Sequence, residues 1–365
     1  MEAHQSEKEQ KKVLQTLSPT RVIIPILIGL SYVVYDFSTN MDASELITRF
    51  SQASAFWIAM AVVVLVVRDA GYIYRIRHVT QKALSWSSSI YVILLWEFSS
   101  AVTPSAIGGT AVAVFILNRE GISFGKSLAY VMVTALLDNS FFLIAAPLAL
   151  LLTDGTVFPN ESQFGDFGFL SMGLKVTFWA SYFLIFVYNV FFAIGLLVKP
   201  EAFKWFLIKV TSIPFLKRWQ KAAAESGDEV IIASAELKGV GGGYWWKAGL
   251  STLFVWAARY LMVNCLLEAF TDISVSGHWL IFARHILMWI IMLISPTPGA
   301  AGLAELVFGR FFYEFIGSFS NAVAQFWRLF TYYPYLLVGA IVLPRWLIKT
   351  GLRQKKQIHK ETSSN

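Results

Sequence analysis

The chain has a single cysteine, Cys265, in 365 residues, and it lies within an apolar run. An intrachain disulfide and a cysteine-cluster metal site are therefore excluded. The five histidines, at 4, 78, 278, 285 and 359, are scattered, and no His/Cys/Asp spacing suggests zinc. Charge is scarce too: 15% of residues are Asp, Glu, Lys or Arg, against about 25% in a soluble domain. A Walker loop is missing, which argues against ATP hydrolysis. The stretch "GVGGGYWW" (239–246) is rich in glycine but lacks a preceding strand and a suitably placed lysine. We read it as a flexible lead-in with an interfacial aromatic anchor. The polar N-terminal 20 residues mix both charges and do not have the form of a cleaved signal peptide. No cofactor, no metal and no enzymatic set are expected.

Apolar sequence is abundant, at 56% of residues, and recurs in long runs along the whole length. That pattern predicts an all-α polytopic membrane protein. Helices are predicted at 21–36, 53–73, 87–103, 105–117, 124–152, 170–198, 245–269, 278–295, 300–316 and 321–346. The domain is single, with a first half of about 1–198 and a basic cytoplasmic loop of about 199–244. A second half of about 245–346 and a basic tail at 347–365 complete it. Within the loop, "IPFLKRWQKAAAE" (213–225) is predicted as a basic amphipathic helix on the inner leaflet.

Two of these runs are interrupted. "SAIGGTAVAVFIL" (105–117) follows Pro104 and has 13 residues, where a span needs about 20. The pair 87–117 therefore reads as one hairpin that enters, breaks and returns. The pair 278–316 has the same form, broken at "SPTPGAAG" (295–302). Lys and Arg collect in 1–21, 74–88, 118–126, 199–247 and 344–365, while the alternate connectors hold only Arg49 and Arg310. The bias places both termini in the cytoplasm, by the excess of basic residues in cytoplasmic loops. The two re-entrant hairpins then enter from opposite faces. This is the pattern of an inverted repeat with a site between its broken helices.

Three motifs carry a resemblance to a known family. They are "TPSAIGGTAVAVFILNREGISFGKSLAYVMVTALLD", "SPTPGAAGLAE" and "FWRLFTYYPYLLVGAIVLP". In this order they resemble the lysylphosphatidylglycerol synthetase transmembrane family of flippase-like integral membrane proteins. The chain departs from the family pattern in one place: "VMVTALLDN" has no basic residue before Asp138. The resemblance implies movement of a lipid headgroup between leaflets. Synthetase activity in fused members belongs to an added soluble domain, and that domain is expected to be missing here.

The breaks offer freed backbone N–H groups at half-helix N-termini, which attract anions. Pro104, Gly108, Gly109, Pro296, Pro298, Gly299 and Gly302 build those breaks. Charged side chains at membrane depth are costly, and Glu97, Asp138, Arg259, Arg284, Glu305 and Arg328 are the ones hardest to assign to helix ends. We expect them to bind substrate. Arg68 and Asp69 are expected to snorkel or to pair locally near a helix end, and His285 to be a packed, hydrogen-bonded histidine. The predicted function is a translocase for an anionic phospholipid or polyprenyl-phosphate headgroup. A membrane enzyme acting on a lipid headgroup, or a non-transporting assembly factor, remains the alternative. Expected partners are the anionic lipid and the bilayer, with no nucleic acid; a homodimer is left open. The expected location is the bacterial cytoplasmic (inner) membrane.

Overall fold

Every regular element among the described residues of the computed structural model is a helix. Residues 43–103, 105–153, 156–159, 173–293, 295 and 297–363 are described. The predicted helix at 21–36, together with Pro104 and Pro296, lies outside them.

Helices α1 (Ala43–Gln52) and α2 (Ala55–Val79) lead into the first broken pair, α3 (Trp86–Val102) and α4 (Ser105–Arg119). The long α5 (Phe124–Leu152) and α6 (Leu174–Ala193) follow, and α6 closes in a π-turn over Ile194–Val198. Next come α7 (Pro200–Thr211), α8 (Gln220–Gly239), α9 (Gly242–Glu268) and α10 (Val275–Met292). Beyond the second break lie α11 (Leu303–Phe311), the short α12 (Tyr313–Ile316), α13 (Ser320–Thr331) and α14 (Tyr333–Ser363).

Among the described residues, six segments are long and apolar enough to cross a membrane: Ala55–Val79, Phe124–Leu152, Leu174–Val198, Gly242–Glu268, Val275–Met292 and Tyr313–Gly351. Their outward faces are apolar, with Val62, Val66, Phe183, Leu184, Leu337 and Ile341 exposed. The interior, by contrast, holds buried Arg68, Arg75, Arg284, Glu305 and Arg328. A bilayer accounts for this inversion. Hydrocarbon accepts the apolar outside, while charges find partners inside.

Several readings of the sequence change; the run 300–316, for one, is two helices parted at Phe312. Helix α2 does not stop near residue 73 but runs to Val79, so Arg75 belongs to a helix interior and not to a loop. The amphipathic helix expected at 213–225 is divided: Lys217–Trp219 forms a 3-10 turn and α8 starts only at Gln220. Around that turn Trp205, Ile213 and Phe215 remain exposed. The run 321–346 is two helices, parted at Tyr332 with φ −130 and ψ −62. Pro334 explains the parting. A proline at the second position of α14 costs that helix nothing, but it could not follow α13 without striking the carbonyl four residues back.

Candidate functional site

The three breaks in the chain meet. Helix α3 ends at Val102, and Thr103 is extended (φ −104, ψ 143). The Gly299 N–H donates to the Thr103 carbonyl at 3.4 Å, so the second break touches the first. Tyr332, at the third, donates its hydroxyl to the Ala101 carbonyl at 3.2 Å. Gly299 has φ +54, and a Cβ there would sit 2.3 Å from Tyr332 Cε2 and 2.9 Å from the Ala101 oxygen. Only glycine fits, for backbone conformation and for space alike. Gly109 plays a packing role, since a Cβ would meet Ser100 Oγ at 2.2 Å.

Glu305 ties the second break to α13. Its Oε2 accepts the Gly302 N–H at 2.8 Å and its Oε1 accepts Arg328 Nε at 2.8 Å. Arg328 Nη2 donates to the Gly299 carbonyl at 2.9 Å. Its guanidinium lies 3.8 Å from the Tyr332 ring centroid. The second half-helix therefore begins at Leu303, not at Gly299, and its N-terminal donor already faces a carboxylate. Pro298 lies in the linking segment before it.

Gly299, Arg328 and Tyr332 line one side of a cavity of about 320 Å³. Two further ion pairs line it. Arg259 Nη2 on α9 meets Glu97 Oε1 on α3 at 3.0 Å, with the guanidinium 4.8 Å from the Trp289 ring centroid. Arg75 on α2 grips Asp138 on α5 with both terminal nitrogens, the Nη2–Oδ2 contact being 3.2 Å. Trp256 Nε1 donates to the same carboxylate at 2.7 Å, and Thr252 accepts from Arg75 at 3.3 Å. The rest of the wall mixes rings, among them Tyr72, Trp96, Trp289, Trp327 and Tyr335, with small polar and aliphatic residues such as Ser100, Thr110 and Ile93. The cavity thus presents cations, carboxylates and ring faces together. Each of its three arginines is already paired.

Asp138 does have a charged partner, but Arg75 supplies it from another helix. The distance of 63 residues and the misplaced end of α2 hid the pair from sequence reasoning. Arg68 is fully buried rather than snorkelling. It pairs with Asp69 at 2.7 Å and also donates to the Tyr335 hydroxyl. Arg284 does not join the cavity. It donates to the Phe311 and Thr156 carbonyls and pairs with Glu314 at 2.7 Å. Of the other predicted residues, the structure brings Glu97, Asp138, Arg259 and Arg328 to the wall, with Glu305 directly behind Arg328. His285 is packed as expected, edge to face against the Tyr260 and Trp327 rings. No group of three or more potential metal ligands occurs among those residues.

The model of the family described as "Lysylphosphatidylglycerol synthase TM region" matches residues 22–339. The chain belongs to this family. The match runs through all three breaks and all three cavity ion pairs. It also accords with the six apolar segments, and the chain is an integral membrane protein. A relative from Archaeoglobus fulgidus, described as "UPF0104 membrane protein", is 24% identical over 316 residues. That alignment covers 84% of this chain and 87% of the relative.

Proposed function

We propose that the chain moves an anionic lipid headgroup, a phospholipid or a polyprenyl phosphate, between leaflets through the cavity at the meeting point of the breaks. One observation carries the reading: Arg328 is held by Glu305 at the wall of a cavity inside an apolar protein. An arginine can hold a phosphate through two parallel hydrogen bonds. When no headgroup is present, Glu305 keeps the cation satisfied. When one arrives, the phosphate competes with Glu305 for Arg328, and release restores the pair. Such an exchange needs no nucleotide.

On this reading the pairs α3/α4 and α10/α11 are re-entrant hairpins from opposite faces, related as an inverted repeat. Both termini lie in the cytoplasm, and the host is the bacterial cytoplasmic membrane. The contact between Gly299 and Thr103 supports the facing of the breaks. Membership of a family with a lipid-synthase transmembrane region supports the lipid role.

The test is leaflet-resolved transfer in proteoliposomes containing only this protein. Labelled phosphatidylglycerol and a labelled polyprenyl phosphate serve as cargo, and dithionite quenching of the outer leaflet as readout. Transfer of either above the empty-liposome rate is expected. A rate equal to that of empty liposomes for both lipids would remove the proposal.

A further inference from the structure

In place of the helix expected at 213–225, the chain forms a hairpin with an exposed tip. Helix α7 leaves the π-turn that closes α6 and lies along α8. One face of α7 is packed. Phe203 is buried against Gly195, where a Cβ would meet its ring at 3.0 Å. Gly227 lets α7 and α8 approach closely, since a Cβ there would sit 2.8 Å from Lys204 Cβ. Another face of α7 is apolar as well, and no described residue covers it. Trp205 is 65% exposed, with Phe206, Val210 and Ile213 exposed after it, and Phe215 in the turn is 73% exposed. At about 100° per residue, Lys209 falls between Trp205 and Val210 on that side of the helix.

The carboxylates of α8 are taken up elsewhere. Asp228 pairs with Lys204 at 2.5 Å and Glu225 lies 3.8 Å from Lys221. Glu236 pairs with Lys126 of α5 at 2.8 Å, and Glu229 accepts the Gly125 N–H at 2.6 Å. The last two bonds fasten α8 to the start of α5, so the hairpin is held in place. Glu201 opens α7, about 12 Å along the axis from Lys209. Lys209, Lys217 and Arg218 have no carboxylate partner among the described residues. The tip thus carries bare rings and three cations.

That chemistry selects a partner. Rings beside lysine and arginine suit the headgroup layer, where the rings enter the acyl boundary and the cations meet phosphates. The patch also continues a surface that faces lipid, because Val190 on α6 and Ile194 and Val198 in its closing turn are exposed. A second copy of the chain in a symmetric contact would set the same three cations against themselves. We infer that the α7–α8 hairpin is a foot that grips anionic lipid headgroups in the leaflet at which α6 ends. Trp205, Phe206 and Phe215 insert, while Lys209, Lys217 and Arg218 hold the phosphates. None of these residues lines the cavity, so the gripped lipid is not cargo and the inference stands without the translocation reading. Each basic side chain near an anionic leaflet is worth about fivefold in partition.

The test uses the full chain with Cys265→Ser and a bimane label at Ser212→Cys, an exposed position in the turn. Phosphatidylcholine nanodiscs carry equal fractions of spin-labelled phosphatidylserine or spin-labelled phosphatidylcholine, with the spin label near the headgroup. Quenching by the serine lipid should exceed quenching by the choline lipid at least threefold. Combining Lys209→Glu, Lys217→Glu and Arg218→Glu should bring the ratio to one or below and leave the choline signal, because the rings still insert. Trp205→Ser with Phe215→Ser should weaken quenching by both lipids at least twofold. All five side chains are exposed, so the unfolding temperature should stay unchanged and serves as the control for folding. A wild-type ratio near one overturns the inference. So does a ratio that charge reversal leaves unaltered. Quenching by neither lipid would leave the tip to water or to a second copy and overturns it too.

Discussion

Gly299 and Thr103 lie nearly two hundred positions apart, yet the N–H of one reaches the carbonyl of the other at 3.4 Å. The bond joins two stretches of chain that have left helical geometry. Broken backbone is tolerated at membrane depth where it is buried in protein or lines a cavity. Here each break supplies part of what the other has lost, and the cavity opens beside them.

Gly299→Ala should therefore be disproportionately harmful. The new methyl meets the Ala101 oxygen and the Tyr332 ring, and the residue is confined to φ +54. Strain at such a position costs on the order of 1–3 kcal/mol before any clash. We expect a lower detergent melting temperature and loss of transport. Combining the change with Tyr332→Ala should recover only part of the loss, because the Ala101 carbonyl stays where it is.

Arg328→Ala strands Glu305, which is fully buried. Breaking a buried pair from one side costs about 3–5 kcal/mol, so stability and transport should both drop. Arg328→Lys retains the cation but loses the planar fork. It should keep most of the stability and lose much of the transport. Glu305→Gln should bind anionic lipid at least as tightly as wild type and release it slowly. Dissociation rates from nanodiscs would show this directly. Wild-type transport by both conservative variants would make the pair purely structural.

The Arg75–Asp138 pair can be tested by a double-mutant cycle. Arg75→Met and Asp138→Asn should each destabilise the protein. The double variant should be less affected than the sum, because no buried charge is then left alone. Additive losses in thermal unfolding would show that the two groups act independently.

Orientation can be read by cysteine accessibility on a Cys265→Ser background. Single cysteines at 119 and at 310 should label from opposite sides. Labelling from the same side would exclude hairpins that enter from opposite faces.

Much of the wall is legible in the sequence because proline and glycine act locally. Two breaks announce themselves as "TPSAIGG" and "SPTPGAAG". The third, at Tyr332, is less visible. Pro334 lies in an aromatic run and sits harmlessly in the first turn of α14, so only the end of α13 betrays it. Charges are harder to place, since a residue's rarity says nothing of its direction. Arg284 and His285 are neighbours in sequence and about 100° apart around α10. His285 and Trp289, four residues apart, share the cavity face, and Arg284 turns away to the Phe311 carbonyl and Glu314. Arg75 escapes notice for a different reason. The apolar run fades before the helix ends, so a buried cation resembles a loop residue. Glu97 and Arg259 stand out singly, and only the fold brings the two side chains together at the cavity.

The ion pairs also set an order in time. Arg75 leaves the ribosome before Asp138, and Glu97 long before Arg259, so two charges must enter the membrane ahead of the groups that neutralise them. A lone charge at the centre of an inserting helix costs about 2.5–3.5 kcal/mol. Arg75, one turn from the end of α2, can stretch toward the headgroups until α5 arrives. Glu97 has five residues of α3 beyond it, and Arg68 of α2 is the cation within its reach until α9 brings Arg259. Glu305 and Arg328 are made within 23 residues of each other, so the partner follows closely in the chain. The Glu97–Arg259 bond thus ties an early stretch of the chain to a late one, and it can close only once α9 is in place.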